Sequence, residues 1–97
     1  ERLVDLIAYG PQRIHQIANK GRIACGYDAD FTVVDLTKKK TITHAQQKSK
    51  SPWTPFDGME ATGWPIITII RGKTVMRDDE LIGSPMGQPV RFRETLR

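Results

Sequence analysis

The side chains with most scope for chemistry in this 97-residue sequence are two histidines, one cysteine and a close pair of aspartates. His15, His44 and Cys25 are all potential zinc ligands, but zinc needs three or four donors converging on one point. No His-x-His or Cys-x-x-Cys spacing occurs. His15 falls on a predicted helix and His44 on a predicted strand, so a surface or hydrogen-bonded histidine is the default reading of each. Asp28 and Asp30 could share acid–base work only in a cleft that splits their pKa values. At a strand entrance they more simply accept hydrogen bonds from turn amides. Asp78, Asp79 and Glu80 read as an exposed turn, without the alternating oxygen ligands of a calcium loop. Ser51 and Ser84 have no nucleophile-elbow context. No residue of the sequence is therefore assigned a catalytic, cofactor-binding or metal-binding role.

Trp53, Phe56 and Trp64 have faces broad enough to stack a base or a sugar. Prolines are interleaved with them and no arginines flank them, which favours packing against another part of a larger protein. The formal charge is +4. Lysines 38, 39, 40, 48 and 50 supply much of it around a turn and a loop, which reads as a solvated edge and not as a nucleic-acid face. The single cysteine excludes an internal disulfide and fits a reducing compartment. The longest apolar stretch, residues 66–70, is far too short to span a bilayer.

The elements that carry these residues follow from periodicity and turn chemistry. The sequence opens without Met, inside an amphipathic pattern (Leu3, Val4, Leu6, Ile7), and reads as a fragment. Residues 1–9 predict a helix stopped by Gly10. Pro11 then opens a second helix, where its missing N–H costs nothing. Ile14, Ile17 and Ala18 share a face of that helix, and Asn19-Lys20-Gly21 ends it. Residues 22–24 read as a brief extended piece and residues 26–28 as a turn. Residues 29–36 predict a strand covered on both faces. Residues 37–39 turn the chain, and residues 40–45 return as a partner strand. Residues 46–64 predict an ordered loop whose aromatics fill gaps between layers. Residues 66–70 and 73–76 form a hairpin through Arg71-Gly72. A turn at residues 78–80 leads to a short strand at Leu81-Ile82. Residues 83–97 are tail-like, with Val90, Phe92 and Leu96 as docking points. Helices followed by a run of strands predict separate layers or domains.

Several of these segments resemble the ending of the cyclic amidohydrolases. They are Gly21-Arg22-Ile23, then Gly26-Tyr27-Asp28-Ala29-Asp30-Phe31 with its strand closed by Asp35. Next come Lys50-Ser51-Pro52-Trp53-Thr54-Pro55-Phe56-Asp57-Gly58 and the hairpin Thr68-Ile69-Ile70-Arg71-Gly72-Lys73-Thr74-Val75. The resemblance runs from Leu3 to about Ile82. The glycine-to-aspartate strand is common to the superfamily. The Ser-Pro loop and hairpin narrow it to the dihydroorotase, allantoinase and dihydropyrimidinase branch, with the dihydroorotase family first. Gly10-Pro11 departs from the Asn-Pro frequent in the family, and Gly caps a helix less well than Asn.

The resemblance implies an α/β fold. Residues 1–21 would be the last helices of a (β/α)8 hydrolase barrel, residues 22–82 the C-terminal part of a small β-sandwich domain, and residues 83–97 a tail. Phe31, Val33, Val34, Trp53, Phe56, Trp64, Ile67, Ile69 and Val75 would be the residues that hold this scaffold together. The implied chemistry is reversible ring closure of N-carbamoyl-aspartate to dihydroorotate, a step of pyrimidine synthesis. One or two zinc ions would be held by histidines, an aspartate and a carbamylated lysine outside this segment. The implied partners are the remaining N-terminal part of the same protein, a second copy in a homodimer, and aspartate transcarbamoylase, in the cytoplasm. A non-catalytic homologue serving that transcarbamoylase is the alternative from another class.

Overall fold

A computed structural model describes residues 1–93. The chain begins with a single helical run, not with two helices. α1 (Arg2–Val4) passes through a π-helical segment (Asp5–Tyr9) into α2 (Gly10–Ile14). Gly10 does not stop the helix; it is right-handed helical, and its N–H bonds to the carbonyl of Asp5, five residues back. The widened turn lies just ahead of Pro11, whose ring would crowd the preceding turn of a regular α-helix. A Cβ at Gly10 would meet the Asp5 carbonyl oxygen at 2.8 Å. The run ends at His15 and Gln16, not at Asn19–Gly21, because Gln16 takes a left-handed conformation (φ 53°). Ile17 and Ala18 are therefore not helical. Ile17 bridges to Phe92, and the Ala18 N–H bonds to the Arg91 carbonyl at 2.8 Å. Phe92 thus docks the tail, while Leu96 lies outside the described residues.

Residues 22–24 are bent, not extended. The turn at residues 26–28 forms as expected, with Gly26 at positive φ and the Tyr27 N–H on the Ala24 carbonyl. Four antiparallel strands follow as a meander: β1 (Phe31–Thr41), β2 (Glu60–Ile70), β3 (Lys73–Arg77) and β4 (Glu80–Leu81).

The predicted reversal at residues 37–39 is a bulge inside one long strand. Asp35 pairs with Trp64 and Lys39 with Thr62, so three residues of β1 oppose Gly63 alone. The Asp35 carboxylate holds the bulge by accepting from the Thr37 N–H, the Thr37 hydroxyl and the Lys38 N–H at 2.8–3.1 Å. The polar cluster that sequence reads as a turn thus bends the strand without reversing it. The partner strand expected at residues 40–45 does not form: Lys40 and Thr41 end β1, and His44–Gln46 is a 3-10 turn. β2 starts at Glu60 and runs through Pro65, which tolerates the ladder because Ile66 beside it is bulged out of register. The β2–β3 hairpin closes through Arg71 (φ 46°) and Gly72 (φ 77°), a left-handed pair suited to a two-residue turn. Asp78 and Asp79 do the same before β4.

The helical run and the sheet do not pack on each other: no Cα of one lies within 8 Å of a Cα of the other. The radius of gyration, 15.8 Å, exceeds the roughly 13 Å of a compact domain of this size. No hydrophobic residue among those described is buried. Both faces of β1 were expected to be covered, yet Val33, Val34 and Leu36 are exposed, because the chain supplies no second layer. Among the described residues, no helix is long and apolar enough to cross a membrane.

Candidate functional site

Asp28 and Asp30 are brought together, but around a cation. Lys20 Nζ lies 2.8 Å from Asp28 Oδ2 and 2.5 Å from Asp30 Oδ2. The other oxygen of Asp30 accepts from the Arg71 N–H at 2.8 Å, and the Ala29 carbonyl accepts from the Gly72 N–H at 2.9 Å. The Arg71 guanidinium in turn donates to the Met86 carbonyl. One lysine and one hairpin turn therefore clamp the strand entrance to the β2–β3 end of the sheet. Hydrogen bonding to Lys20 is the largest influence on Asp30 and holds its carboxyl below the usual range, with the Arg71 amide adding to it. Lys20 is raised by its hydrogen bonds to Asp28 and then to Asp30. Such an ion triad engages both carboxylates with one cation, the opposite of the split pair that acid–base chemistry needs.

His44 takes a structural position that its sequence context did not announce. It begins a one-turn 3-10 helix (His44–Gln46) that Thr43 and Gln46 cap reciprocally. Its Nδ1 accepts from the N–H of the buried Thr54 at 3.1 Å, while its own N–H donates to Asp57 at 2.8 Å. With the Ile42–Met59 and Ile42–Gly58 backbone bonds, this orders residues 43–59 as a closed loop. The loop is ordered as expected, but its aromatics fill no gap in this chain. Trp53 is 66% exposed and Phe56 54%. Trp64 is half-buried, its indole N–H on the Ala61 carbonyl and the Lys40 ammonium over its ring. Lys39 and Lys40 are engaged by Glu60 and Asp79, so the lysine group is not one open basic face.

His15 and Cys25 are exposed. Among the described residues, no three His, Cys, Asp or Glu side chains are grouped so as to hold a metal ion. The donor set does not fit zinc. One cleft of about 340 Å³ has a distinct lining, with Tyr9, Arg13, Arg22, Tyr27 and Arg93 among its walls. Arg13 and Arg22 stack over the Tyr9 ring at 4.7 and 4.9 Å. Sequence gave no sign of it, because Arg93 is far from the other two arginines along the chain.

Comparison with known proteins gives a consistent picture. Residues 1–75 match the Amidohydrolase family. The chain is 43% identical over 88 residues to the dihydroorotase of Pyrococcus abyssi, covering 91% of this chain and 22% of that protein. It is 48% identical over 77 residues to the dihydroorotase of Methanothermobacter thermautotrophicus, covering 79% of this chain and 18% of that protein. Among solved structures, the L-hydantoinase (dihydropyrimidinase) of Arthrobacter aurescens superposes with a TM-score of 0.79 at 32% identity, over 84% of this chain and 18% of that one. The chain thus spans about a fifth of the length of these relatives.

Proposed function

The chain belongs to the amidohydrolase family, and from that premise we propose that it is the scaffold section of a dihydroorotase. The observation that carries this reading is the 43–48% identity to two dihydroorotases over most of the chain. In this reading residues 1–21 end the catalytic barrel, residues 22–82 form most of a small β domain, and residues 83–97 are a tail that Phe92 anchors. The whole enzyme would close N-carbamoyl-aspartate to dihydroorotate and reopen it.

The active-site metal, zinc in this proposal, would be held by the rest of the protein, since the described residues offer it no ligand set. What this chain contributes is position. The Lys20–Asp28–Asp30 triad and the Arg71-Gly72 turn fix the sheet relative to the segment that leaves the helix. The exposed apolar side chains, Leu3, Ile7 and Ile14 on the helix and Val34, Trp53 and Phe56 on the β part, would be covered by the remainder of the same chain.

The structural likeness to a dihydropyrimidinase favours one rival, hydrolysis of a related ring. A substrate panel on the intact protein separates them: dihydroorotate, a dihydropyrimidine lacking the carboxylate, and a hydantoin. Preferential turnover of dihydroorotate supports the proposal. Preference for either uncharged ring transfers it to the hydantoinase branch.

A further inference from the structure

We propose that the cleft between the helical run and the tail at Arg93 is a binding site for a phosphate-bearing small molecule. Three guanidinium groups, Arg13, Arg22 and Arg93, meet there. They come from the helix, the segment just after it and the tail, and only Arg93 is distant in sequence. Two of them share the Tyr9 ring, which fixes their planes. The third is set by backbone: the Arg93 N–H bonds to the Gln16 carbonyl at 2.8 Å, beside the Ile17–Phe92 bridge. Gln12, itself buried, donates its amide to the Ile17 carbonyl at 2.8 Å and holds the floor of the cleft in place.

Arg13, Arg22 and Arg93 are all exposed, so water screens them from one another and leaves their donors open to a ligand. None of the three forms an ion pair with a carboxylate among the described residues, whereas Lys20, Lys39 and Lys40 all do. A carboxylate has two oxygens in one plane, which a single guanidinium fork can meet side by side. A phosphate presents three oxygens and can accept from several forks at once. The cleft volume of about 340 Å³ falls at the lower end of small-molecule sites, about 300–1,000 Å³. Tyr27 also lines the wall. The inference does not depend on the substrate reading above.

The test is calorimetric titration of the intact protein with inorganic phosphate and with pyrophosphate, at low and at moderate salt. Saturable binding is expected, weakening with salt. Arg13→Gln with Arg22→Gln should weaken it by about tenfold or more, since charge-assisted bonds of this kind are the strong ones. Lys38→Gln with Lys39→Gln removes the same charge from β1 and should change it by less than about twofold. Arg22→Lys keeps the charge but loses the fork, and should weaken binding in a protein that still folds. Absence of saturable binding by the unmodified protein overturns the proposal, as does equal loss in the arginine and lysine double variants.

Discussion

The Lys20 ammonium lies 2.5 Å from one carboxylate oxygen of Asp30, whose other oxygen accepts the Arg71 amide. This single contact links the segment leaving the helix to the strand entrance, and through it to the hairpin turn. In a chain with no buried hydrophobic residue among those described, such polar ties define the geometry.

The pH dependence of stability should show that tie. Asp30 is held below the usual carboxylate range chiefly by Lys20. Its contribution is therefore complete above the unfolded value of about 3.9, and is lost as pH falls through the lower folded value. Lys20 is raised, chiefly by Asp28. Its contribution is complete below about 10.4, and is lost as pH rises through the higher folded value. Lys20→Met should cost the intact protein about 1 kcal/mol at neutral pH and flatten both limbs. Urea denaturation across pH checks this; unchanged limbs would mean that the triad contributes nothing.

Two glycines at left-handed φ should respond differently to alanine. At Gly21 (φ 82°) a Cβ would lie 2.8 Å from the Ala8 carbonyl oxygen and 2.9 Å from Gln12 Cβ. At Gly72 (φ 77°) it would meet nothing within 4 Å. Gly72→Ala should cost about 1–2 kcal/mol for backbone conformation alone. Gly21→Ala should cost about 1–3 kcal/mol more, because the helix must shift. Thermal and urea unfolding of both variants in the intact protein measure the difference, and equal costs would refute the close approach.

Much of this was legible in sequence. The hairpin at Arg71-Gly72 was, because a two-residue turn leaves a chemical mark. So was the turn at residues 26–28. The helix was misread at Gly10, since a π-turn that accommodates Pro11 has the same local signature as a helix stop followed by a helix start. The bulge at residues 36–38 was misread for a similar reason. Asp35 and Thr37 satisfy turn amides whether the chain reverses or only bends, and the extra length of β2 that settles the matter lies across the sheet. The Lys20 triad and the arginine cleft were illegible, because each depends on which distant segments the fold brings together. The turn-amide reading of the aspartates holds for Asp30, which accepts the Arg71 amide, but not for Asp28, whose carboxylate meets Lys20; the default reading of the histidines holds for the hydrogen-bonded His44 and the exposed His15.

The exposed loop aromatics give a third prediction. Separated from the rest of the protein, these 97 residues should show no cooperative melt and should bind a hydrophobic dye, since their apolar faces have no cover. In the intact protein, Trp53→Ala should cost about 3 kcal/mol or more if the remainder packs on it. A cooperative melt of the separated segment with dispersed amide signals, or a silent Trp53→Ala in the intact protein, would show that the loop faces solvent.

The most direct test of the scaffold account is to measure bound metal per protomer and dihydroorotate turnover in the intact protein carrying His15→Ala, Cys25→Ser and His44→Asn together. Asparagine at position 44 retains an acceptor for the Thr54 amide. The account predicts metal content and kcat equal to those of the unmodified protein, both lost only when a chelator strips the metal. Loss of metal or of turnover in a triple variant that remains folded would contradict it, and would place part of the chemistry within this chain.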